Sequence, residues 1–187
     1  MLYVITGGSA SGKSEYAEKL ATQQYRSGAY DRLYYIATMY PYDAECLQRI
    51  ERHQLMRRDK GFRTIECYTA LSALSVSEKD VLLLECMSNL LANEMYLPQG
   101  SIRQRSDEAV ASVTETVLKP LWRLQQSAGA LFVVTNEVFS DGGAYDAETG
   151  TYLRLLGYIN QKLAQRADGV IEVVCGIPVC QKGELLC

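Results

Sequence analysis

The amino-terminal stretch Met1–Leu20, MLYVITGGSASGKSEYAEKL, carries the clearest structural signal in this chain. Gly7 to Ser14 fit the pattern G-x-x-x-x-G-K-[ST] at every position, directly after a short apolar run and before a helical pattern. Glycines let the backbone wrap closely around a phosphate, and the dipole of the following helix adds positive potential. The pattern therefore predicts a phosphate-binding loop, and its setting argues against the alternative of a chance glycine turn capped by Ser14.

Two side chains, Ser14 in the loop and Glu85 from a later strand, are expected to bring oxygen atoms to the bound metal or substrate. The predicted loop consists of Gly7, Gly8, Ser9, Ala10, Ser11, Gly12, Lys13 and Ser14. Lys13 is expected to act as the catalytic cation on the outer phosphates, and the Ser14 hydroxyl to bind Mg²⁺. Glu85 ends a later apolar run, at the strand terminus where open α/β sheets place ligand-site residues. We expect it to serve the metal or a substrate hydroxyl, although a solvated residue at a strand end is the alternative.

Five apolar runs alternate with longer helical patterns and define the predicted architecture. The runs are Leu2–Ile5, Leu33–Ile36, Val81–Leu84, Leu131–Val134 and Val170–Val174. Helices are predicted at about Lys13–Tyr25, Asp43–Asp59, Met87–Met95, Arg103–Gln126 (with a kink or break at Pro120) and Gly150–Arg166. Runs that are apolar on both faces are typical of parallel strands covered by helices. The order predicts an α/β, doubly wound sheet.

The bulk composition narrows the class of protein. The 187 residues are 48% hydrophobic with a net charge of −3, which predicts a single domain over residues 1–187 and disfavours a globally basic nucleic-acid binder. No apolar run approaches the ~18 residues of a membrane span, and no leader pattern precedes the first strand, so a cytoplasmic protein is expected. The six cysteines form no C-x-x-C pair and are interpreted as reduced, mostly buried thiols.

The chain has one histidine, His53, within the basic segment RIERHQLMRRDKGFR that begins at Arg49. The predicted helix would bury Leu47, Ile50 and Leu55 and place His53 on another face, between Arg49 and Arg57. Cations on both sides disfavour protonation, so the pKa of the imidazole is expected to lie below its usual value of about 6.5. A neutral imidazole can act as a nucleophile or as a general base, and chemistry alone leaves both open. The alternative is a solvated basic helix with an idle histidine.

Several segments together resemble one enzyme family over nearly the whole chain. In order they read ITGGSASGKS, YYIAT, RIERHQ, FRTIE, LLLEC, VTNEV and INQKLAQRAD. They are similar to the bifunctional adenosylcobinamide kinase / adenosylcobinamide-phosphate guanylyltransferase family of cobalamin assembly. The resemblance implies a RecA-like P-loop NTPase fold, with a mostly parallel sheet and helices on both faces, and a ring-like homotrimer. In line with the net charge of −3, no nucleic-acid partner is expected.

The resemblance also implies a reaction and a set of site residues. The expected kinase step uses ATP or GTP with Mg²⁺ to phosphorylate the aminopropanol hydroxyl of adenosylcobinamide. His53 is then expected to attack the α-phosphate of GTP, and the covalently held GMP to pass to adenosylcobinamide phosphate. Besides the phosphate loop, the implied nucleotide-binding residues are Ala37, Thr38, Met39, Gln54, Leu55, Met56, Arg57, Glu66 and Glu85.

The sequence departs from this family pattern at two places. Arg52 stands where the family often has a second histidine, and one histidine suffices to carry GMP. After VTNEV, residues 139–150 read FSDGGAYDAETG in place of a G-x-G-x-V-P stretch, which affects the expected corrinoid contacts. Asn136 and Glu137 precede this loop and either contribute to that side of the site or cap a turn.

Three other functions compete with the bifunctional transferase. A P-loop small-molecule kinase with an idle His53 would form no covalent GMP adduct. A non-catalytic, nucleotide-dependent regulatory protein would turn over nucleotide without an acceptor product. A nucleic-acid role rests on the basic segment that begins at Arg49 and would show strongly salt-dependent binding.

Overall fold

A computed structural model of the chain describes residues 1–102, 108–139, 143 and 145–184. Its centre is a seven-stranded sheet with the order β3-β2-β4-β5-β1-β6-β7. The strands are β1 Leu2–Thr6, β2 Arg32–Ala37, β3 Arg63–Glu66, β4 Asp80–Glu85, β5 Ala130–Val134, β6 Gly169–Val174 and β7 Ile177–Lys182. Neighbouring strands pair in parallel except β6 and β7, which are antiparallel.

Helices cover both faces of this sheet because the strand residues alternate between two apolar clusters. The helices are α1 Lys13–Arg26, α2 Ala44–Arg57, α3 Met87–Tyr96, α4 Ala109–Val113, α5 Lys119–Ser127 and α6 Ala147–Arg166. Leu20 of α1 packs on one face with Ile5 and Leu83. The other face packs against α3 to α6. The predicted α/β architecture with helices on both faces is confirmed.

The strand order brings the predicted site residues to one edge. β1 lies between β5 and β6, and β5 separates it from β4, as in RecA-like P-loop NTPases. The parallel register pairs Ala37 of β2 with Glu85 of β4. Because the carboxyl ends of parallel strands share an edge, the phosphate loop after β1, Glu85 and Asn136 converge there. The RecA-like fold implied by the family resemblance is confirmed.

Two strands were absent from the sequence prediction. β3 is only four residues long and largely exposed, with polar and charged side chains that give no apolar run. β7 contains Pro178 and is mostly exposed at the sheet edge, so it also lacks the buried pattern on which strand prediction depends. Both are edge strands, and their exposed side chains leave no continuous apolar run in the sequence.

The predicted buried face of α2 is wrong. Leu47 and Leu55 are 50% and 67% exposed, and Ile50 is only partly buried. The buried residue of α2 is Arg57, at its last turn. Helical spacing of apolar residues predicted burial against the sheet, but α2 borders a cavity beyond the strand ends instead. Its helical state is confirmed, and the Asp43 carboxylate caps it by accepting the Cys46 N–H at 2.7 Å.

The long helix predicted for Arg103–Gln126 is irregular just before Pro120, where the sequence predicts a kink or break. Residues 103–107 lie outside the described part, and the helical run continues from α4 through a π-helical turn at Thr114–Leu118 into α5. Proline removes one backbone donor and crowds the preceding turn, which favours such an irregularity immediately before it. None of the described helices is long and apolar enough to cross a membrane.

The expectation that the cysteines are mostly buried is wrong for the described residues, which leave out Cys187. All five described cysteines are free thiols. However, only Cys67 and Cys86 are buried, and Cys46 is partly buried. Cys175 and Cys180 are exposed because they belong to the β6–β7 edge hairpin, which the sequence did not predict.

Candidate functional site

The phosphate loop has a backbone that only glycine accommodates at its narrowest point. Gly7 has a φ of 154°, and a Cβ there would lie 2.5 Å from the Val173 carbonyl oxygen. Gly12 also has a positive φ, 90°, directly before α1. The Lys13 ammonium folds back over the loop and donates to the Gly8 carbonyl at 2.9 Å. The Ser11 hydroxyl is buried without a hydrogen-bond partner, as expected of a loop whose polar groups serve a ligand.

Ser14 and Glu85 form the candidate metal-binding pair. The Ser14 hydroxyl donates to Glu85 Oε1 at 2.7 Å, and Glu85 Oε2 is buried with no hydrogen-bond partner. Burial raises the pKa of Glu85 to about 7, although the Ser14 hydrogen bond and the Lys13 charge oppose the rise. A bound cation would supply the missing partner for Oε2. Mg²⁺ takes oxygen ligands and commonly binds one or two protein groups plus phosphates, so this pair fits it.

Thr38 holds the ends of β2 and β4 together instead of facing the cavity. It is fully buried, and its hydroxyl accepts the Cys86 N–H at 2.7 Å. Its carbonyl accepts a hydrogen bond from the Asn93 amide at 2.7 Å. Thr38 therefore positions the segment that carries Glu85, while its neighbours Ala37 and Met39 line the cavity.

His53 lies partly buried on α2 with one ring nitrogen enclosed. Nδ1 is buried and has no hydrogen-bond partner. The pKa of His53 is lowered first by this burial and then by the charges of Arg57, Arg52 and Arg49. The pKa shifts in the expected direction, and burial comes before the arginines among its causes. A neutral ring keeps a lone pair available for attack on phosphorus.

A single cavity of about 880 Å³ joins these elements. His53 and the phosphate loop both border it, as does Glu85. The predicted site residues that line it are Ser9, Ala10, Ser11, Gly12, Lys13, Ser14, Ala37, Met39, His53, Gln54, Met56, Arg57, Glu66 and Glu85. Four predicted residues are not among its lining residues: Gly7, Gly8, Thr38 and Leu55. Gly7 supplies the positive φ of the loop and Gly8 accepts the Lys13 hydrogen bond, whereas Leu55 is exposed.

The cavity also has walls that sequence reasoning did not assign. Tyr35 and Thr64 border it beside Arg57. Asn89 lies in the first turn of α3, four residues after Glu85 at the end of β4, and this closeness in sequence is a signal the sequence offered. Tyr35 had no such signal, because a tyrosine within a strand is ordinarily a core residue.

An amide-rich wall closes the side of the cavity near β5. Asn136 lines it together with Asn89 and Val138. The Asn136 amide donates to the Ser88 hydroxyl at 2.6 Å, which fixes the side chain against α3. Glu137 does not line the cavity, and its carboxylate accepts the Phe139 N–H at 2.9 Å. This wall offers neutral hydrogen-bonding groups, in contrast to the cationic wall on α2.

A phosphate loop after a central parallel strand, with a hydroxyl–carboxylate pair beside it, defines the P-loop nucleotide-binding proteins of RecA-like fold. Residues 3–180 match the sequence profile of the family described as cobinamide kinase / cobinamide phosphate guanyltransferase. The chain belongs to this family.

Two relatives illustrate this membership. The bifunctional adenosylcobalamin biosynthesis protein CobU of Salmonella typhimurium is 31% identical over 186 residues, which cover 96% of this chain and 98% of the relative. The bifunctional adenosylcobalamin biosynthesis protein CobP of Pseudomonas aeruginosa is 33% identical over 98% of both chains. Among solved structures, the ATP synthase subunit NeqB from Nanoarcheaum equitans has a TM-score of 0.53 and 13% identity, covering 91% of this chain and 46% of NeqB. That likeness concerns the fold alone.

Proposed function

We propose that this protein phosphorylates the aminopropanol hydroxyl of adenosylcobinamide and then transfers GMP from GTP to the phosphorylated product. The observation that carries the proposal is the cavity itself, since a phosphate loop and a lone, neutral histidine line the same space. A kinase needs only the first of these elements. The second is the group that a nucleotidyl transfer through a covalent intermediate requires.

The kinase step uses the phosphate loop and Glu85. Loop N–H groups and Lys13 bind the triphosphate of ATP or GTP and stabilise the charge of the transferred phosphoryl group. Mg²⁺, held by Ser14 and Glu85, would neutralise charge on the outer phosphates when bound. The substrate hydroxyl attacks the γ-phosphorus and releases its proton to solvent, the bond to the bridging oxygen breaks, and the nucleoside diphosphate leaves.

The guanylyl step uses the other end of the cavity. The enclosed Nδ1 leaves Nε2 as the ring nitrogen able to attack, and Nδ1 keeps its proton. Nε2 forms a bond to the α-phosphorus of GTP, the bond to the α,β-bridging oxygen breaks, and pyrophosphate leaves with that electron pair. A phosphate oxygen of adenosylcobinamide phosphate then attacks the same phosphorus and releases neutral His53. Arg49, Arg52 and Arg57 stabilise the phosphate charges.

The amide-rich wall is the proposed acceptor side. Asn89 and Asn136 present neutral groups that suit a substrate carrying amides and a hydroxyl. They lie on the Glu85 side of the cavity, where the acceptor hydroxyl must approach the γ-phosphate. The loop whose sequence departs from the family pattern includes residues 140–142 and 144, which lie outside the described part.

The direct test supplies the purified protein with adenosylcobinamide, Mg²⁺ and each nucleotide separately, followed by mass spectrometry of the corrinoid. ATP should give only the corrinoid phosphate, whereas GTP should give the phosphate and then the GDP derivative. Formation of the phosphate alone with GTP would favour a P-loop kinase without guanylyltransferase activity. Formation of neither product would refute the proposal.

A further inference from the structure

Arg57 is a buried arginine that forms no salt bridge among the described residues. It is 5% exposed at the end of α2. The salt bridges in that part of the chain join Arg32 to Asp80, Lys60 to Glu18 and Lys119 to Glu115. Arg57 makes a long hydrogen bond instead, from Nη2 to the Thr64 hydroxyl at 3.4 Å. Because burying an unpaired cation is costly, another group must compensate it.

Tyr35 supplies an aromatic contact to this guanidinium. Arg57 Cζ lies 3.7 Å from the centroid of the Tyr35 ring, well within the range in which a ring face attracts a cation. The ring is itself fixed, since Tyr35 is 3% exposed on β2 and Phe62 packs edge-to-face against it. Burial and the nearby Glu85 raise the pKa of Tyr35, so the phenol stays neutral and leaves the arginine charge intact.

The Arg57–Tyr35 pair borders the same cavity as His53 and Glu85. Tyr35 and Arg57 both line it. After burial, the charge of Arg57 is the largest influence that lowers the pKa of His53. The same charge opposes the rise that burial causes in the pKa of Glu85. The Arg57 guanidinium therefore acts electrostatically on His53, the proposed nucleophile, and on Glu85, which accepts the Ser14 hydrogen bond.

We propose that Tyr35 is a positioning residue, which holds the Arg57 guanidinium in the cavity wall to bind the phosphate chain of the nucleotide during guanylyl transfer to His53. The inference rests on the proposed function. Arg57 contacts the nonbridging oxygens, whereas Tyr35 acts only through Arg57. A neutral ring fixes the guanidinium without pairing it, so its N–H donors remain available for phosphate. A carboxylate in place of the ring would compete with the nucleotide phosphates for the N–H donors of Arg57.

Substitution of Tyr35 separates this role from ordinary packing. Tyr35→Leu removes the ring, Tyr35→Phe retains it, and Tyr3→Leu is the matched control. Tyr3 is 8% exposed in the same apolar cluster, stacks on Phe132 and does not line the cavity. The readouts are the single-turnover rate of guanylyl-enzyme formation at saturating GTP and the half-saturating GTP concentration.

The expected pattern follows from the loss of a desolvated cation–π contact. Tyr35→Leu should slow adduct formation by about tenfold to thirtyfold, and Tyr35→Phe should recover most of that loss. Tyr3→Leu should stay within about twofold of wild type, because it removes only packing. Equal rates in Tyr35→Leu and Tyr3→Leu would overturn the inference.

A double-mutant cycle tests whether Tyr35 acts through Arg57. In an Arg57→Met background, Tyr35→Leu should change the rate by less than about twofold, because residues that act through one contact are not additive. A further loss as large as that in wild type would contradict the positioning role.

Two additional measurements keep the inference testable. If Tyr35→Leu does not fold, tetrafluorophenylalanine at position 35 preserves the ring shape but withdraws charge from its face, and it should slow the reaction where the same replacement at Tyr3 does not. If wild type forms no adduct, the proposed function fails, and equilibrium binding of GTP becomes the readout. Tyr35→Leu should then bind GTP more weakly than Tyr3→Leu, and equal affinities would overturn the inference.

Discussion

His53 differs from an ordinary surface histidine in its surroundings. Its Nδ1 is enclosed, and burial together with three arginines lowers its pKa. The group therefore stays neutral at pH values where an exposed histidine is already partly protonated. This property suits a nucleophile, because the lone pair is lost once the ring becomes an imidazolium.

The pH dependence of guanylylation follows from this environment. The reaction needs neutral His53, so its rate should fall on the acid side with a midpoint below 6.5. Removal of a neighbouring cation stabilises the imidazolium and raises the pKa, so Arg52→Gln should move this acid limb to higher pH. The measurement is the single-turnover rate of adduct formation between pH 4.5 and 8.

Arg58→Gln is the matched control for this profile. Arg58 is exposed in the same basic segment, and its charge is not among those that lower the pKa of His53. The acid limb of this variant should coincide with that of wild type. An Arg52→Gln limb that stays in place or moves to lower pH would contradict the assignment of His53 as the titrating group.

At the level of elements, the buried strands were predictable and the exposed strands β3 and β7 were not. The five strands predicted from apolar runs are all present, because burial on both faces leaves a continuous apolar signature. β7 carries no such signature at the sheet edge. Leu55 on α2 was misread because helical spacing shows that a face is apolar, not what covers it.

The site itself was predictable where a motif fixes the chemistry. Ser14 and Glu85 meet as expected, since strand order brings the loop and the end of β4 to one edge. The role of Thr38 could not be read from the chain, because its partner Cys86 is far away in sequence. The Arg57–Tyr35 contact is equally nonlocal.

The capping of α2 should matter to catalysis because this helix carries His53. Asp43 accepts the Cys46 N–H at 2.7 Å, and Asp146 caps α6 in the same way through Thr149 at 2.7 Å. Asp43→Ala should raise hydrogen exchange in α2 by about fivefold and lower the rate of adduct formation. Asp146→Ala should loosen α6 instead. If both variants slowed the reaction equally, the ordering of α2 would not be the cause.

At the scale of the whole molecule, we propose a ring-like trimer, as the family resemblance implies. Leu55 is 67% exposed on α2, and Ile177 is 65% exposed on the edge strand β7. Exposed apolar side chains of this size favour association, and so does an unpaired sheet edge such as that of β7. Light scattering should therefore give a mass of three times 20.9 kDa. A stable mass of 20.9 kDa at micromolar concentration would refute the trimer.

The central claim is that His53 carries GMP, and one labelling experiment tests it most directly. Wild type and His53→Ala are incubated with Mg²⁺ and GTP labelled in the α-phosphate, then denatured, with γ-labelled GTP as the control. The account predicts an acid-labile, alkali-stable label on wild type only, and only from α-labelled GTP. Absence of label on wild type that binds GTP, or retention of label by His53→Ala, would contradict it.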